Sequence, residues 1–363
     1  MRNRKSAEAG KVKVRNLRRS RYCRGMSNQP RRPARQADIA RLAGVSQATV
    51  SSVITGSGDR YGIAQETRDK VMAAVEALGY VPSAAARQLR GARNRLIGVH
   101  TFEPIFPISQ MNFYHEFLVG IEEQAVLDGY NLLLFTATDQ ATGRRPLFVK
   151  GASQLSVADG TILLGLDRER SELERLAESG YPFVHIGQRT IEGVDIPFVS
   201  PDYRAGVDNA VEKLIALGHT EIAYLKDDVR FEATTARREG YQQAMARHRL
   251  RARVIGTAQH DAASFDLRGA TAVFAEESPQ LLWVTTLADS QRLTIPHDLS
   301  VVALSEADSD TTRRWTTLTA PRRQLGAEAV QLLVSVLDGV DSPTHRSLPC
   351  LPLKDDTLDR PRG

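Results

Sequence analysis

The stretch ADIARLAGVSQATVSSVIT, residues Ala37 to Thr55, contains two short helical periods broken by Gly44-Val45-Ser46. In the first, Ile39, Leu42 and Ala43 share one face; in the second, Val50, Val53 and Ile54 do the same. Gly44 permits a sharp turn, and Ser46 can accept from the free N–H groups at the start of the second helix. A third helix is predicted from about Gln65, with Val71, Ala74, Val75 and Leu78 at i, i+3, i+4 and i+7. Three such helices close a miniature core and leave Gln47, Ala48, Thr49, Ser51 and Ser52 facing outward. A short helix with small polar side chains at its N-terminal end suits a DNA major groove; an ordinary helical hairpin with a polar face is the plainer alternative.

The charge pattern favours the first. Residues 1–36 hold thirteen Lys/Arg against Glu8, residues 37–95 are +3, and residues 96–363 are −10, within a total of +5. A basic front on an acidic body fits a nucleic-acid head joined to a sensing body, because phosphate contacts dominate DNA affinity. At 363 residues, 42% hydrophobic and 25% charged, the chain is long enough for two or three globular domains. Cys23 and Cys350 stand far apart, which argues against a disulfide scaffold and fits a reducing cytoplasm. No apolar run reaches membrane-spanning length. Residues 1–34 are expected to be a disordered basic leader: a natural start at Met26, a solvated tail and a DNA-binding arm are the readings open there.

Further along come Tyr80-Val81-Pro82, the run SAAARQLRG at 83–91, and Leu96-Ile97-Gly98-Val99. Together with D-I-A-x-x-A-G-V-S-x-x-T-V-S, these resemble the lactose-repressor/galactose-repressor (LacI/GalR) family of bacterial transcription factors, from about Arg35 to about Leu353. The resemblance implies a helix-turn-helix head (35–82), a hinge helix (83–94), and a two-lobed domain like a periplasmic binding protein (95–353), followed by a tail (354–363). It also implies that Gln47, Ala48 and Ser52 read base edges and that Thr49 and Ser51 hold phosphate. Leu89 would wedge the minor groove from a hinge helix in which Ala85 and Ala86 let two copies approach. The chemistry agrees in part: Gln pairs with adenine and Ala touches a thymine methyl. Arg35 stands where relatives often carry a capping Ser or Thr, and it is expected on phosphate instead. The loop 56–62 is longer than the family pattern, and either Arg60 or Tyr61 reaches a phosphate or the loop is simply exposed.

From Leu96 onward short apolar strands alternate with helices, the mark of parallel, doubly wound α/β sheets, here in two units. The lobe change is expected near 187–200, with Val199 to Ala223 opening the second lobe, and the return near 315–324. Resemblance puts Phe113 and Tyr114 on a pocket lip and Arg237 on a polar effector, with a surface salt bridge as the other reading of Arg237. Departures follow: Glu277-Ser278 replace a usual Asn-Asp, and Ala303 to Glu306 replace Gly-Phe-Asp-Asp. Between Leu250 and Thr271 little room remains for a helix. These changes count against a typical sugar pocket.

No metal spacing, phosphate loop or nucleophile motif is present, so neither an enzyme nor a cofactor is expected. The expected protein is a homodimeric repressor of a pseudopalindromic double-stranded operator, controlled by a small-molecule effector and with no membrane partner. A solute-binding module with a vestigial head is the rival.

Overall fold

The structure, a computed structural model, describes residues 34–80, 93–103, 108–139, 142–165, 170–226, 228, 231–267, 269–305, 313–354 and 356–362. The expected leader up to residue 33, most of the hinge with Ala86 and Leu89, and Glu306 lie outside the described residues. The chain divides into two compact units, Met1–Ser83 and Ala84–Gly363.

The first unit is built from α1 (Gln36–Ala43), α2 (Gln47–Ile54) and α3 (Gln65–Ala77). Gly44 ends α1 at φ +67°, a left-handed turn that costs glycine little. Ser46 Oγ then accepts from the Thr49 amide at 3.0 Å and starts α2. Ile39, Ala40, Val50, Val71 and Ala74 form the buried core, with Val53, Ile54 and Val75 packed on it. Leu42 and Leu78 do not join them. Leu42 is 57% exposed, because α3 covers the Ile39–Ala40 side of α1, and Leu78 frays out at the end of α3. The loop after α2 is tied back by the Arg68–Asp59 ion pair and by Ile63 N donating to Gly58 O at 3.0 Å.

The second unit has two lobes. In lobe 1 the strands are β1 (Leu96–Thr101), β2 (Asn131–Phe135), β5 (Gly160–Leu164), β6 (Phe183–Ile186), β7 (Phe198–Asp202) and β13 (His345–Pro349). They form a parallel sheet in the order β13-β7-β6-β5-β1-β2. Helices α4 (Ile108–Leu127), α5 (Arg170–Glu178) and α9 (Arg322–Asp338) belong to this lobe. Helices α4 and α9 meet backbone to backbone: a Cβ at Gly120 would overlap the Arg323 carbonyl, and one at Gly326 the Phe117 carbonyl. Strict alternation fails twice in this lobe. Strand β6 runs to β7 with no helix between them. Between β2 and β5 the chain makes a short hairpin, β3 (Phe148–Val149) with β4 (Ala152–Ser153), in place of a helix. Leu147 and Leu155 beside it still cover the sheet, packed with Leu163, Leu173 and Phe183.

Lobe 2 carries β8 (Ile222–Lys226), β9 (Arg253–Gly256), β10 (Ala272–Ala275), β11 (Ser300–Ala303) and β12 (Thr316–Thr317), in the order β12-β11-β10-β8-β9. Its helices are α6 (Tyr203–Ala216), α7 (Glu232–Arg247) and α8 (Ser278–Gln291). As expected from the short 250–271 segment, the described residues there hold only the edge strand β9 and one 3-10 turn, Thr257–Gln259, before β10.

Two expectations need correction. Residues 198–202 belong to lobe 1, not to the opening of lobe 2, because β7 pairs with β6 and β13; the lobe change comes at Asp202–Tyr203. Nor do the residues after 353 simply trail away. Thr357 Oγ1 donates to Val301 O at 2.6 Å, Val301 N donates to Thr357 O at 2.9 Å, and the Asp359 carbonyl lies 2.8 Å from His219 Nε2. The last segment is thereby stitched along β11. The return near 315–324 is where it was expected, between β12 and α9.

The chain therefore passes between the lobes at 202–203, 318–321 and 349–351. These passages are bonded to one another: Leu351 N donates to Thr319 O at 2.9 Å, and Cys350 Sγ reaches Asp202 O at 3.6 Å.

Candidate functional site

Two places gather chemistry. On the first unit, Gln47 and Ala48 are exposed at the start of α2, while Val50 turns into the core. Thr49 Oγ1 is 2.9 Å from Ser46 Oγ, and Ser52 Oγ donates to Ala48 O at 3.1 Å, so both hydroxyls already have partners within the helix. Ser51 is half-buried beside them. Arg35 caps α1 only through its backbone: its amide donates to Asp38 Oδ2 at 2.9 Å, and the guanidinium, which has no acceptor, stays exposed. Arg60 and Tyr61 are exposed as well, Tyr61 at 68%.

In the second unit, a cleft of about 520 Å³ opens between the lobes. It lies beyond the carboxyl ends of the parallel strands, where open α/β sheets bind ligands. Glu103 follows β1, Gly165 follows β5, Arg189 follows β6, Tyr203 follows β7, Phe231 follows β8, Glu277 follows β10 and Ser305 follows β11. From α4 come Phe113, Tyr114 and Phe117. Phe113 is 47% exposed, its ring 5.0 Å from Tyr114 and 5.7 Å from Phe117, with the Arg322 guanidinium 4.6 Å above it. Tyr114 is buried and donates to Glu103 Oε2; burial first, and then that carboxylate, pushes its phenol pKa up.

Arg237 is only 5% exposed. Its Nη1 donates to Glu277 Oε1 at 2.9 Å, its guanidinium lies 4.2 Å over the Tyr203 ring, and its buried Nε has no partner. Burial works against the charge, but Tyr203, Glu277 and Tyr224 outweigh it and hold the pKa above the ordinary value. Behind the pair, the buried Tyr224 donates to the buried Glu276 at 2.8 Å. Ser278, the first residue of α8, is half-buried but does not line the cleft.

A second set of contacts joins the lobes at the cleft. Glu232, at the start of α7, accepts from Arg170 Nη2 at 2.9 Å and from the Thr190 amide at 3.1 Å. Arg189 Nη1 stands 3.9 Å from the same carboxylate, and Arg189 also donates to the carbonyls of Gly165 and Gln188 at 2.7 Å each. Sequence reasoning singled out Phe113, Tyr114, Arg237, Glu277 and Ser278; the first four line the cleft and Ser278 does not. It missed Glu103, Arg189, Tyr203, Phe231 and the Glu232 contacts. Their shared signal is position, a few residues past a strand end.

Comparison with known proteins settles the family. Residues 37–83 match the profile described as bacterial regulatory proteins, lacI family, and residues 211–354 match a periplasmic binding protein-like domain. The HTH-type transcriptional regulator MalR of Streptomyces coelicolor is 30% identical over 333 residues, covering 85% of this chain and 92% of that protein. The chain belongs to the lacI family of bacterial regulatory proteins.

Two more lacI-family relatives span it as fully. The ribose operon repressor of Escherichia coli is 30% identical over 319 residues, 83% of this chain and 92% of the repressor. Catabolite control protein A of Priestia megaterium is 29% identical over 316 residues, with the same two coverages. The fold matches the lac repressor dimer bound to operator and the anti-inducer ONPF, with a TM-score of 0.64 at 22% identity, over 90% of this chain and all of that one. As a lacI-family member the chain is a DNA-binding transcriptional regulator, and the rival of a solute-binding module with a vestigial head is not favoured. Among the described residues no helix is long and apolar enough to cross a membrane, and no group of three metal-ligating side chains is present.

Proposed function

We propose that this regulator is a repressor that works in the cytoplasm as a homodimer and has no catalytic activity. Two heads would grip a pseudopalindromic operator, and a small molecule in the interlobe cleft would set the affinity. The observation that carries the reading is the pairing of an exposed Gln47-Ala48 edge on a capped helix with a cleft whose walls come from two lobes built on separate sheets. Gln47 would read adenine and Ala48 a thymine methyl; Thr49 and Ser51, with Arg35 at the neighbouring helix start, would meet the backbone. Ser52 would have to exchange its bond to Ala48 O for a base or a water. Ala86 and Leu89 would supply the hinge contact in the minor groove.

Effector control follows from linkage. A ligand that prefers one lobe angle shifts operator affinity, and operator shifts ligand affinity by the same factor. Phe113, Tyr114, Arg237 and Glu277 would touch the ligand, with Ser278 one residue beyond the wall. The test is fluorescence anisotropy with DNA from upstream of the chain's own gene, across a salt series. Specific binding that weakens steeply with salt, and selectivity lost in Gln47→Ala and Leu89→Gly, would support the assignment. Undiminished selectivity in either variant would remove that residue from it.

A further inference from the structure

We propose that the cleft takes an uncharged compound that joins a flat aromatic ring to a hydrogen-bond-donating group, and turns away carboxylates and phosphates. The inference rests on the cleft being the effector site.

Four observations lead there. The first concerns cations. Among the described residues lining the cleft the only two are Arg189 and Arg237, and both are engaged within the protein. Arg237 is neutralised by Glu277 at 2.9 Å, with its buried Nε left unpaired, and Arg189 is capped by the Gly165 and Gln188 carbonyls with Glu232 at 3.9 Å. An anion leaving water for this cleft would find its counter-charges taken, and burying a charge without a partner is costly.

The second observation is that the acids face inward. Glu103 and Glu277 stand on opposite lobes of the same cleft, and Glu277 keeps 40% of its side chain exposed. Carboxylates of this kind repel an anion and accept from N–H or O–H groups.

The third is that aromatic rings come from both sides: Phe113 and Phe117 from lobe 1, Tyr203 and Phe231 from lobe 2. Tyr203 is covered by Arg237, and Arg322 lies over one side of Phe113, yet Phe113 still presents nearly half its surface although burying it would be favourable, so an apolar ligand face has a place to lie.

The fourth is that spare hydroxyls are few. Thr234 Oγ1 already accepts from Phe231 N at 3.0 Å and donates to Phe231 O at 2.9 Å. Ser305 is the other aliphatic hydroxyl on the wall among the described residues, so a bare polyol would leave many of its groups without partners here, whereas a compound that is largely an aromatic face would leave fewer. The cleft volume, about 520 Å³, lies within the range of pockets that enclose small organic ligands.

The shared chemistry fits a nucleoside or an aryl glycoside, and the arms of the experiment separate them. The full-length chain is titrated calorimetrically with adenosine, 4-nitrophenyl β-glucopyranoside, glucose, gluconate and glucose 6-phosphate. The expected result is that adenosine or the nitrophenyl glucoside binds with a Kd below about 1 mM and at least about tenfold more tightly than glucose or either anion. Phe113→Ala should weaken that probe by about tenfold with an unchanged melting temperature, while Phe113→Tyr should keep it. Glu277→Gln, which strips the counter-charge from Arg237, should bring gluconate binding up by about tenfold. Tighter binding of either anion than of both ring probes would overturn the proposal, as would silence from both ring probes at about 5 mM or indifference of the bound probe to Phe113→Ala. Operator affinity measured with the probe present is read separately. If the probe binds as expected but operator affinity does not move, the ligand class stands and the effector reading falls.

Discussion

The head and the cleft use their polar groups in opposite ways. On the head, Gln47 and Ala48 stand at the open end of α2 with nothing bonded to their side chains among the described residues, ready for a surface the chain does not contain. In the cleft the strongest groups are already matched: Arg237 to Glu277, Tyr114 to Glu103, Arg189 to main-chain carbonyls, and Glu232 to Arg170 and Thr190. A site with unspent donors suits a partner that brings its own charge, as DNA does. A site with spent charges selects by shape and by which edges of the ligand donate.

The contrast predicts that damage to one region leaves the other standing. The largest effect is expected from Gly326→Ala, whose new methyl would meet the Phe117 carbonyl and force α4 and α9 apart. The second unit should lose about 3 kcal/mol in urea unfolding, while head helicity melts where it did before. A head that melts together with it would show that the units are not separate. Next comes Gln47→Ala, expected to cost about 2 kcal/mol of discrimination at one base pair, measured by anisotropy on single-base operator variants, with no change in ligand affinity.

The third prediction uses pH. Burial holds the His100 imidazole at about 4, against the pull of the Arg145 carbonyl, which accepts from the ring, and burial, then Arg189, holds His185 well below its ordinary value. One ring nitrogen of each, His100 Nδ1 and His185 Nε2, is buried without a partner. Both stay neutral when folded but take up protons when unfolded near pH 6.5. Stability is therefore full above that pH and falls as the pH drops below it, for His100 until about 4, by up to about 1.4 kcal/mol per unit for each histidine. His100→Gln should flatten that decline in urea midpoints of the second unit; an unchanged slope would remove His100 from the account. The head contributes no histidine, so its own melting should not share the trend.

Smaller still, Ser46→Ala removes the acceptor for Thr49 N and should cost the head about 1 kcal/mol, seen as a lower head melting temperature alone. Glu232→Gln should change stability by less than about 1 kcal/mol, because Arg170 is 55% exposed and the pair is screened. It should nonetheless widen the cleft in solution scattering. An unchanged profile would mean that these contacts follow closure and do not hold it.

How much was legible in the sequence follows from the same contrast. The head is local: Gly44, Ser46 and the apolar spacing of Val50, Val53 and Ile54 all act within one short stretch, so the pattern and the structure agree closely. Leu42 was misjudged because spacing names a face but not which part of it the third helix covers. The cleft draws on seven strand ends between residues 101 and 305, and single motifs caught only Phe113, Tyr114, Arg237 and Glu277. Glu232 was invisible, since its partners Arg170 and Thr190 lie 62 and 42 residues away and carry no pattern. Phe198–Asp202 was given to the wrong lobe because a parallel strand looks the same in either sheet; only pairing with β13, far along the chain, decides it.

The triple passage between the lobes has a mechanical corollary. A plate fixed at one bolt can swivel and at two can flap, but at three bolts that are themselves tied together it can only rock through a small arc. Whatever settles between these plates is thus converted into one angle, and a lone angle is a quantity that a distant reader can follow without ambiguity.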